Sequence, residues 1–313
     1  MIGAGVAGGG RLRAGPAGSG LVALAALLTL LGAGAASAQY TGQLQVEAVI
    51  APVTVRTASG RLVSRVGAER FHLFVDGVEV PIQDLAHEEE LPLSLGFVLD
   101  TSGSMGGRKM AACQRLIMAF LDQRRDQDQV ALWTFGDGRV LERFPFGMGW
   151  YLLPRVLETI RPWSTTALYD MVTRFPEVME RATHPRRAFI LLTDGVDNAS
   201  EVGYDRATDI ARHLRTPVYV LGVEPPPPEP DAEGLSYERV LELIADSSGG
   251  HYQRVPTTSR MPEVVEGLLG ELSSRYILSF VTSGVGIREW RTLEVKVDGY
   301  QASTRAGYVG TLP

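Results

Sequence analysis

Between residues 91 and 275, short apolar runs alternate with longer stretches in which apolar side chains return every three or four positions. The runs predict strands near 93–99, 129–135, 139–144, 187–193, 217–222 and 250–254. The 3.6-residue periodicity predicts helices near 108–124, 150–160, 167–181, 204–214, 236–247 and 260–275. Strands that are apolar throughout and separated by helices build a mostly parallel sheet covered on both faces, a doubly wound α/β fold. Gly136-Asp137-Gly138 leaves no room for a helix, so 139–144 is expected as an antiparallel edge strand.

On either side the texture changes to short strands with turn punctuation. Val53-Thr54-Val55 alternates towards a turn at 57–60, and 71–75 runs into Asp76-Gly77 and back out through 78–82 as a hairpin. After Arg275 come an apolar run at 276–281, then Leu293, Val295 and Val297 alternating with Glu294, Lys296 and Asp298, and a last strand around 303–308. Each flank has too few strands to be stable alone. The two are expected to pair into one small β-sandwich-like unit, which divides the chain into flanks at 39–91 and 276–313 around a domain at 92–275. Pro225 to Pro228, followed by Glu229-Pro230-Asp231, cannot continue a helix or a central strand and reads as a stiff exposed loop.

The first 38 residues follow another logic. Arg11 and Arg13 precede an uncharged stretch from Gly20 to Ala36, closed by Ala36-Ser37-Ala38. This is the layout of a secretory signal peptide, 1–38. Its apolar stretch is shorter than the roughly 20 residues a spanning helix needs, and no transmembrane span is expected in the mature chain. Cleavage removes two arginines and no acid, moving the formal charge from −6 to −8. Nucleic acid is therefore not an expected partner. The single cysteine, Cys113, has no internal disulfide partner; with Met110, Ile117 and Phe120 at helical spacing it reads as a buried structural thiol.

Candidate chemistry gathers at predicted strand ends. Asp100-Thr101-Ser102-Gly103-Ser104 follows the first central strand and places one carboxylate and two hydroxyls in one loop, the all-oxygen set that a hard divalent cation prefers. Asp194 ends the strand at 187–193, and Ser164-Thr165-Thr166 precedes the helix that opens Ala167-Leu168-Tyr169-Asp170. In a doubly wound sheet these loops converge at one edge, the usual ligand side. The competing reading of Asp100 to Ser104 is an N-cap and turn for the helix at 108–124.

Enzyme chemistry finds less support. An aspartyl phosphatase wants a second aspartate where Ser102 stands, and the glycines before Arg108-Lys109 lack phosphate-loop spacing. Ser104 lacks a nucleophile elbow, and His72, His87, His184, His213 and His251 form no zinc spacing. His87-Glu88-Glu89-Glu90 reads as a solvated linker.

Asp-x-Ser-x-Ser, then threonine before Ala-Leu-Tyr-Asp, then Thr-Asp-Gly, resembles the metal-ion-dependent adhesion site (MIDAS) of the von Willebrand factor type A (VWA) domain family, over roughly 91–275. Segments 71–77, 91–96 and 304–308 resemble exported bacterial proteins with a central domain of this type. The resemblance implies direct metal ligation by Ser102 and Ser104, a switching ligand at Thr166 with Thr165 as the alternative, and charge balance from Asp100 and Asp194. It implies Mg²⁺, with Mn²⁺ or Ca²⁺ as alternatives, and a protein ligand presenting an Asp or Glu carboxylate. The expectation is an exported, periplasmic, cell-surface or secreted non-enzymatic binding protein. Alternatives are a scaffold whose metal only stabilises the fold and a Mg²⁺-dependent phosphohydrolase.

Overall fold

Pro81 redirects the chain early. Having no N–H, it breaks the run expected at 78–82, and the two halves enter different sheets. The computed structural model describes residues 47–87, 91–163, 165–184, 186–230, 235–282 and 290–309. The expected leader, Glu88 to Glu90, Ser164 and Asp231 lie outside the described residues.

The N-terminal flank forms β1 (Glu47–Arg56), β2 (Phe71–Val75), β3 (Val78–Val80) and β4 (Ile82–His87). The central part runs β5 (Leu93–Asp100), α1 (Arg108–Gln123), β6 (Gln129–Gly136), β7 (Arg139–Phe144), α2 (Leu153–Thr159) and α3 (Leu168–Glu180). It continues through β8 (Arg186–Thr193), α4 (Tyr204–His213), β9 (Val218–Val223), α5 (Tyr237–Ser248), β10 (Tyr252–Val255) and α6 (Met261–Ser274). The C-terminal flank adds β11 (Tyr276–Thr282), β12 (Trp290–Val297), β13 (Gln301–Thr304) and β14 (Gly307–Val309).

The central six-stranded sheet has the order β10-β9-β8-β5-β6-β7, parallel except for the antiparallel edge strand β7. Asp137 and Gly138, both with positive φ, make the tight β6–β7 turn that leaves no room for a crossover. Helices α1, α2 and α6 cover one face and α3, α4 and α5 the other. All eight residues of β5 are buried, with Leu95, Phe97 and Leu99 facing α1 and Val98 facing α3. Gly96 is required by close approach: a Cβ there would lie 2.2 Å from the Phe189 ring, which is itself enclosed by Trp133, Phe146 and Phe175. Cys113 packs in the α1 core, and burial pushes its thiol up to about 12, an inert state.

The flanks do combine. Sheets β13-β1-β11-β4 and β14-β12-β2-β3 share one apolar core, including Val53, Leu73, Leu278, Phe280 and Val295. β1 pairs antiparallel with β11 from Glu47↔Thr282 to Val53↔Tyr276, and β2 pairs with β12. The expected last strand at 303–308 is a correction: it divides at Arg305-Ala306 into β13 and β14, which lie in different sheets. Val53-Thr54-Val55 also departs from alternation, because Thr54 is buried against α6 and donates to Glu271 at 3.4 Å. In the proline loop Pro225 is buried while Pro226 to Pro230 are exposed, and Arg254 donates to the carbonyls of Pro225 and Pro226. His87 is a strand residue rather than linker, its ring edge-on to Tyr276.

A polar seam joins the sandwich to α6. Glu271, 6% exposed, accepts from Arg56 at 2.7 Å and from Thr54, with His251 Nδ1 at 3.6 Å. Burial opposes its ionisation, but His251, Arg56 and Arg275 outweigh that and hold the carboxyl below its usual range. No helix among the described residues is long and apolar enough to cross a membrane.

Candidate metal centre

β5 and β8 are neighbours on either side of the switch in strand order, so their C-terminal loops open onto one edge. Asp100, fully buried at the end of β5, uses both carboxylate oxygens to organise it. Oδ1 accepts from the Ser102 N–H at 2.8 Å and Oδ2 from the Thr193 hydroxyl at 2.7 Å. Thr193 Oγ1 in turn accepts from the Gly195 N–H at 3.0 Å, so the two strand ends are clamped through one carboxylate. Burial pushes the Asp100 carboxyl up to about 6 despite these hydrogen bonds, and the nearby Asp194 charge adds to the rise.

The hydroxyls of buried Ser102 and exposed Ser104 lie 3.1 Å apart. The capping alternative is not realised: α1 begins at Arg108 with Gly107 at its N-cap, and no side chain caps it. Ser102 precedes a short 3₁₀ turn at 103–105, but its side chain does not cap that turn either. The two hydroxyls instead hydrogen-bond each other across the loop.

The approach to α3 supplies the third loop. Thr166, 2% exposed, has its N–H on Asn198 Oδ1 at 2.9 Å and its carbonyl on the N–H groups of Asn198 and Ala199. Its hydroxyl makes no hydrogen bond to a described residue. Thr165 is exposed, and its carbonyl accepts from the Asp137 N–H at 3.0 Å. The α3 cap comes from a distance: Asp197 Oδ2 accepts from the N–H groups of Leu168 at 2.8 Å and Tyr169 at 3.0 Å, and from the Ser200 hydroxyl. The β8 loop thus fixes the Thr166 segment. Asp197, Asn198 and Ser200 were not expected from the sequence; their signal was an Asx/Ser cluster beginning three residues after the strand-end Asp194.

Asp194, 3% exposed, accepts from Lys109 Nζ at 3.0 Å. Lys109 sits on the first turn of α1 and was also missed. Asp100, Ser102 and Ser104 are thus linked by hydrogen bonds, Asp194 is paired with the Lys109 ammonium, and Thr166 is tied to the β8 loop through Asn198. Among the described residues no three His, Cys, Asp or Glu side chains cluster for a metal. The donor set is two carboxylates plus neutral hydroxyls, chemistry that fits a hard cation and not a thiophilic or imidazole-loving one.

The fold and this edge define a doubly wound α/β domain with an oxygen-lined strand-end site. The chain belongs to the von Willebrand factor type A domain family, whose model matches residues 94–267. It is 24% identical over 200 residues to inter-alpha-trypsin inhibitor heavy chain H3 of Rattus norvegicus, covering 59% of this chain and 21% of that protein. The chain thus spans about a fifth of that curated relative. Among solved structures, it is similar to the von Willebrand factor type A protein from Catenulispora acidiphila, with 13% identity, 86% of this chain, 74% of that chain and a TM-score of 0.49. It is also similar to the vWF domain of the type V pili tip protein Mfa5 from Porphyromonas gingivalis, with 12% identity, 58% and 96% coverage and a TM-score of 0.45.

Proposed function

We propose that this chain is an exported, non-enzymatic VWA domain that holds Mg²⁺ with Asp100, Ser102, Ser104, Thr166 and Asp194 and so captures an acidic side chain of a protein ligand. The observation that carries this reading is that the loops after β5 and β8 and the loop before α3, which bear these oxygens, are tied together by hydrogen bonds through Asp100–Thr193 and Thr166–Asn198, with hydroxyls that no helix cap uses. When bound, Mg²⁺ supplies a coordination position that a partner's Asp or Glu carboxylate completes. The protein's own residues do the positioning. Asp100 and Thr193 lock the β5 and β8 ends, and Asp197 and Asn198 hold the segment bearing Thr166. Thr166 is preferred to Thr165 because it is buried and pinned at both backbone groups. Neutral hydroxyl donors leave positive charge for the incoming carboxylate. Mn²⁺ and Ca²⁺ suit the same oxygens, and export rests on the leader pattern at 1–38.

Binding in the folded state alone raises stability by roughly 2.7 kcal/mol at a hundred times the dissociation constant. Mature protein is expected to melt higher in MgCl₂ than in chelator, and Ser102→Ala to lose that difference; equal melting in wild type sinks the metal reading. A scaffold whose metal only stabilises the fold is the second reading. A pull-down separates the two: capture of a defined partner that chelator and Ser102→Ala both abolish supports adhesion.

Lys109 has its own consequence. Its ammonium and a divalent cation would share the Asp194 carboxylate, so Lys109→Met is expected to tighten Mg²⁺ binding by about tenfold. Calorimetric titration measures this; weaker binding in the variant would assign Lys109 a supporting role instead of a competing one.

A further inference from the structure

A cavity of about 130 Å³ lies at the N-terminal ends of β5, β6 and β8, the opposite end of the central sheet from the candidate ligands. Leu93 opens β5 and Asp100 closes it, so the two ends are roughly 23 Å apart. The walls are apolar: Leu93 and Leu95 from β5, Phe120 from α1 and Leu272 from α6. Set into them are Arg124, Arg125 and Arg186, against one carboxylate, Asp128. In a chain of formal charge −6, three guanidiniums around one small cavity run against the overall balance.

The single carboxylate is already committed. Asp128 accepts from the Arg125 side chain at 3.0 Å and from the backbone N–H groups of Arg125 at 2.9 Å and Leu93 at 2.8 Å. Burial opposes its ionisation, but these hydrogen bonds outweigh it and hold the carboxyl below its usual range. Asp128 therefore balances Arg125. Arg124 is held differently: its side chain is 10% exposed, its guanidinium lies 3.8 Å from the Trp150 ring centroid, and the Asp126 carboxylate at 3.7 Å is fully exposed and screened by water. The buried Arg124 Nε makes no hydrogen bond to a described residue, and a buried charged donor calls for an acceptor. Arg186 opens β8, is 4% exposed and donates to the Leu272 carbonyl. Cations that close α1 are ordinary, because a helix C-terminus attracts them; a buried guanidinium at the start of a strand is not explained that way.

We infer that this cavity binds a small aliphatic carboxylate, its anion on Arg124 and Arg186 and its hydrocarbon tail between Leu95, Phe120 and Leu272. The volume sets the length of the tail: an apolar cavity of about 150 Å³ accepts a benzene ring, so a chain of about four to six carbons fits here. A carboxylate matches the planar guanidinium fork. Phosphate and sulfate suit the cavity less, because the apolar walls would strip water from their remaining oxygens and return no hydrogen bond. The site shares no residue with the strand-end edge and is independent of the metal reading.

Amide NMR of the mature chain at constant ionic strength tests this with three probes: sodium butyrate, sodium acetate and neutral butyramide. Butyrate is expected to shift the Leu93, Val130 and Leu272 amides saturably and to bind about tenfold tighter than acetate, which lacks the tail, or butyramide, which lacks the charge. Arg124→Gln is expected to bring butyrate down to the level of butyramide. Leu269→Phe places a ring at a half-buried lining position and is expected to weaken butyrate about tenfold with every charge kept. Each variant's own amide spectrum reports whether it is folded, and the two act on different halves of the ligand, so either one alone decides. The proposal is overturned by no saturable shift with butyrate, by equal binding of butyrate and butyramide, or by a folded variant that binds butyrate as wild type does. Equal binding of acetate and butyrate would mean an adventitious ion only, and overturns it as well.

Discussion

Asp100→Asn is expected to abolish the Mg²⁺-dependent rise in melting temperature and, in chelator at neutral pH, to melt above wild type. The two halves have one cause. Asp100 is fully buried and its carboxyl is raised to about 6 by that burial, so at neutral pH the metal-free protein carries an ionised group in a place that disfavours charge. A folded-state value above the unfolded one means that the native protein binds more protons between the two. Stability from this group therefore falls as pH rises towards 6, by an amount on the order of 3 kcal/mol. Asparagine keeps an acceptor for the Ser102 N–H and removes the charge, but gives a cation nothing to neutralise. Melting curves of both proteins with and without MgCl₂ at pH 7.5 decide it. A variant that keeps its metal shift, or that melts below wild type in chelator, contradicts the argument.

Glu271→Ala is expected to cost about 1–3 kcal/mol of unfolding free energy, because it takes the anion from buried Thr54 and from Arg56 and His251, which are about a third exposed and so partly screened by water. Arg56 loses its 2.7 Å contact, Thr54 its acceptor and His251 its neighbour, all at the seam between the β-sandwich and α6. The pH dependence has the opposite sign to that of Asp100. Glu271 has a depressed folded-state pKa, so its contribution is complete above the unfolded carboxylate range and disappears as pH falls through the folded value. Urea denaturation of wild type and variant at neutral pH, and again in acid, should show a gap that narrows on acidification. A gap below 1 kcal/mol at neutral pH would mean that the seam is solvated and Glu271 dispensable.

How far each feature could be read from the chain follows from the range of the interaction behind it. The run 93–99 and the helical periodicity beginning at Arg108 are local patterns, and a strand buried on both faces leaves an unmistakable one. The tight turn at Gly136-Asp137-Gly138 dictated an antiparallel edge for the same reason. The sandwich was foreseeable as a need, since neither flank had enough strands, but not in its details. Pro81 and Arg305-Ala306 look like small irregularities in single strands; which sheet each half joins depends in part on distant partners, β11 beside β4 and β1 beside β13, as in Val53 opposite Thr304.

The candidate site divides in the same way. The sequence by itself determined the order of strands and helices, the family-like order of Asp100, Ser102, Ser104, Thr166 and Asp194, and the strand-end placement of Asp100 and Asp194, because residue type and periodicity are properties of short windows. Only the tertiary structure decided that α1 is not capped by Ser102 or Ser104, that Lys109 meets Asp194, that Asp197 caps α3, and that the Trp163 backbone N–H reaches the Thr101 carbonyl. The last three are contacts between segments far apart in sequence that chain closure brings together. A side chain's partner is set by the packing of the whole domain and not by its neighbours in sequence.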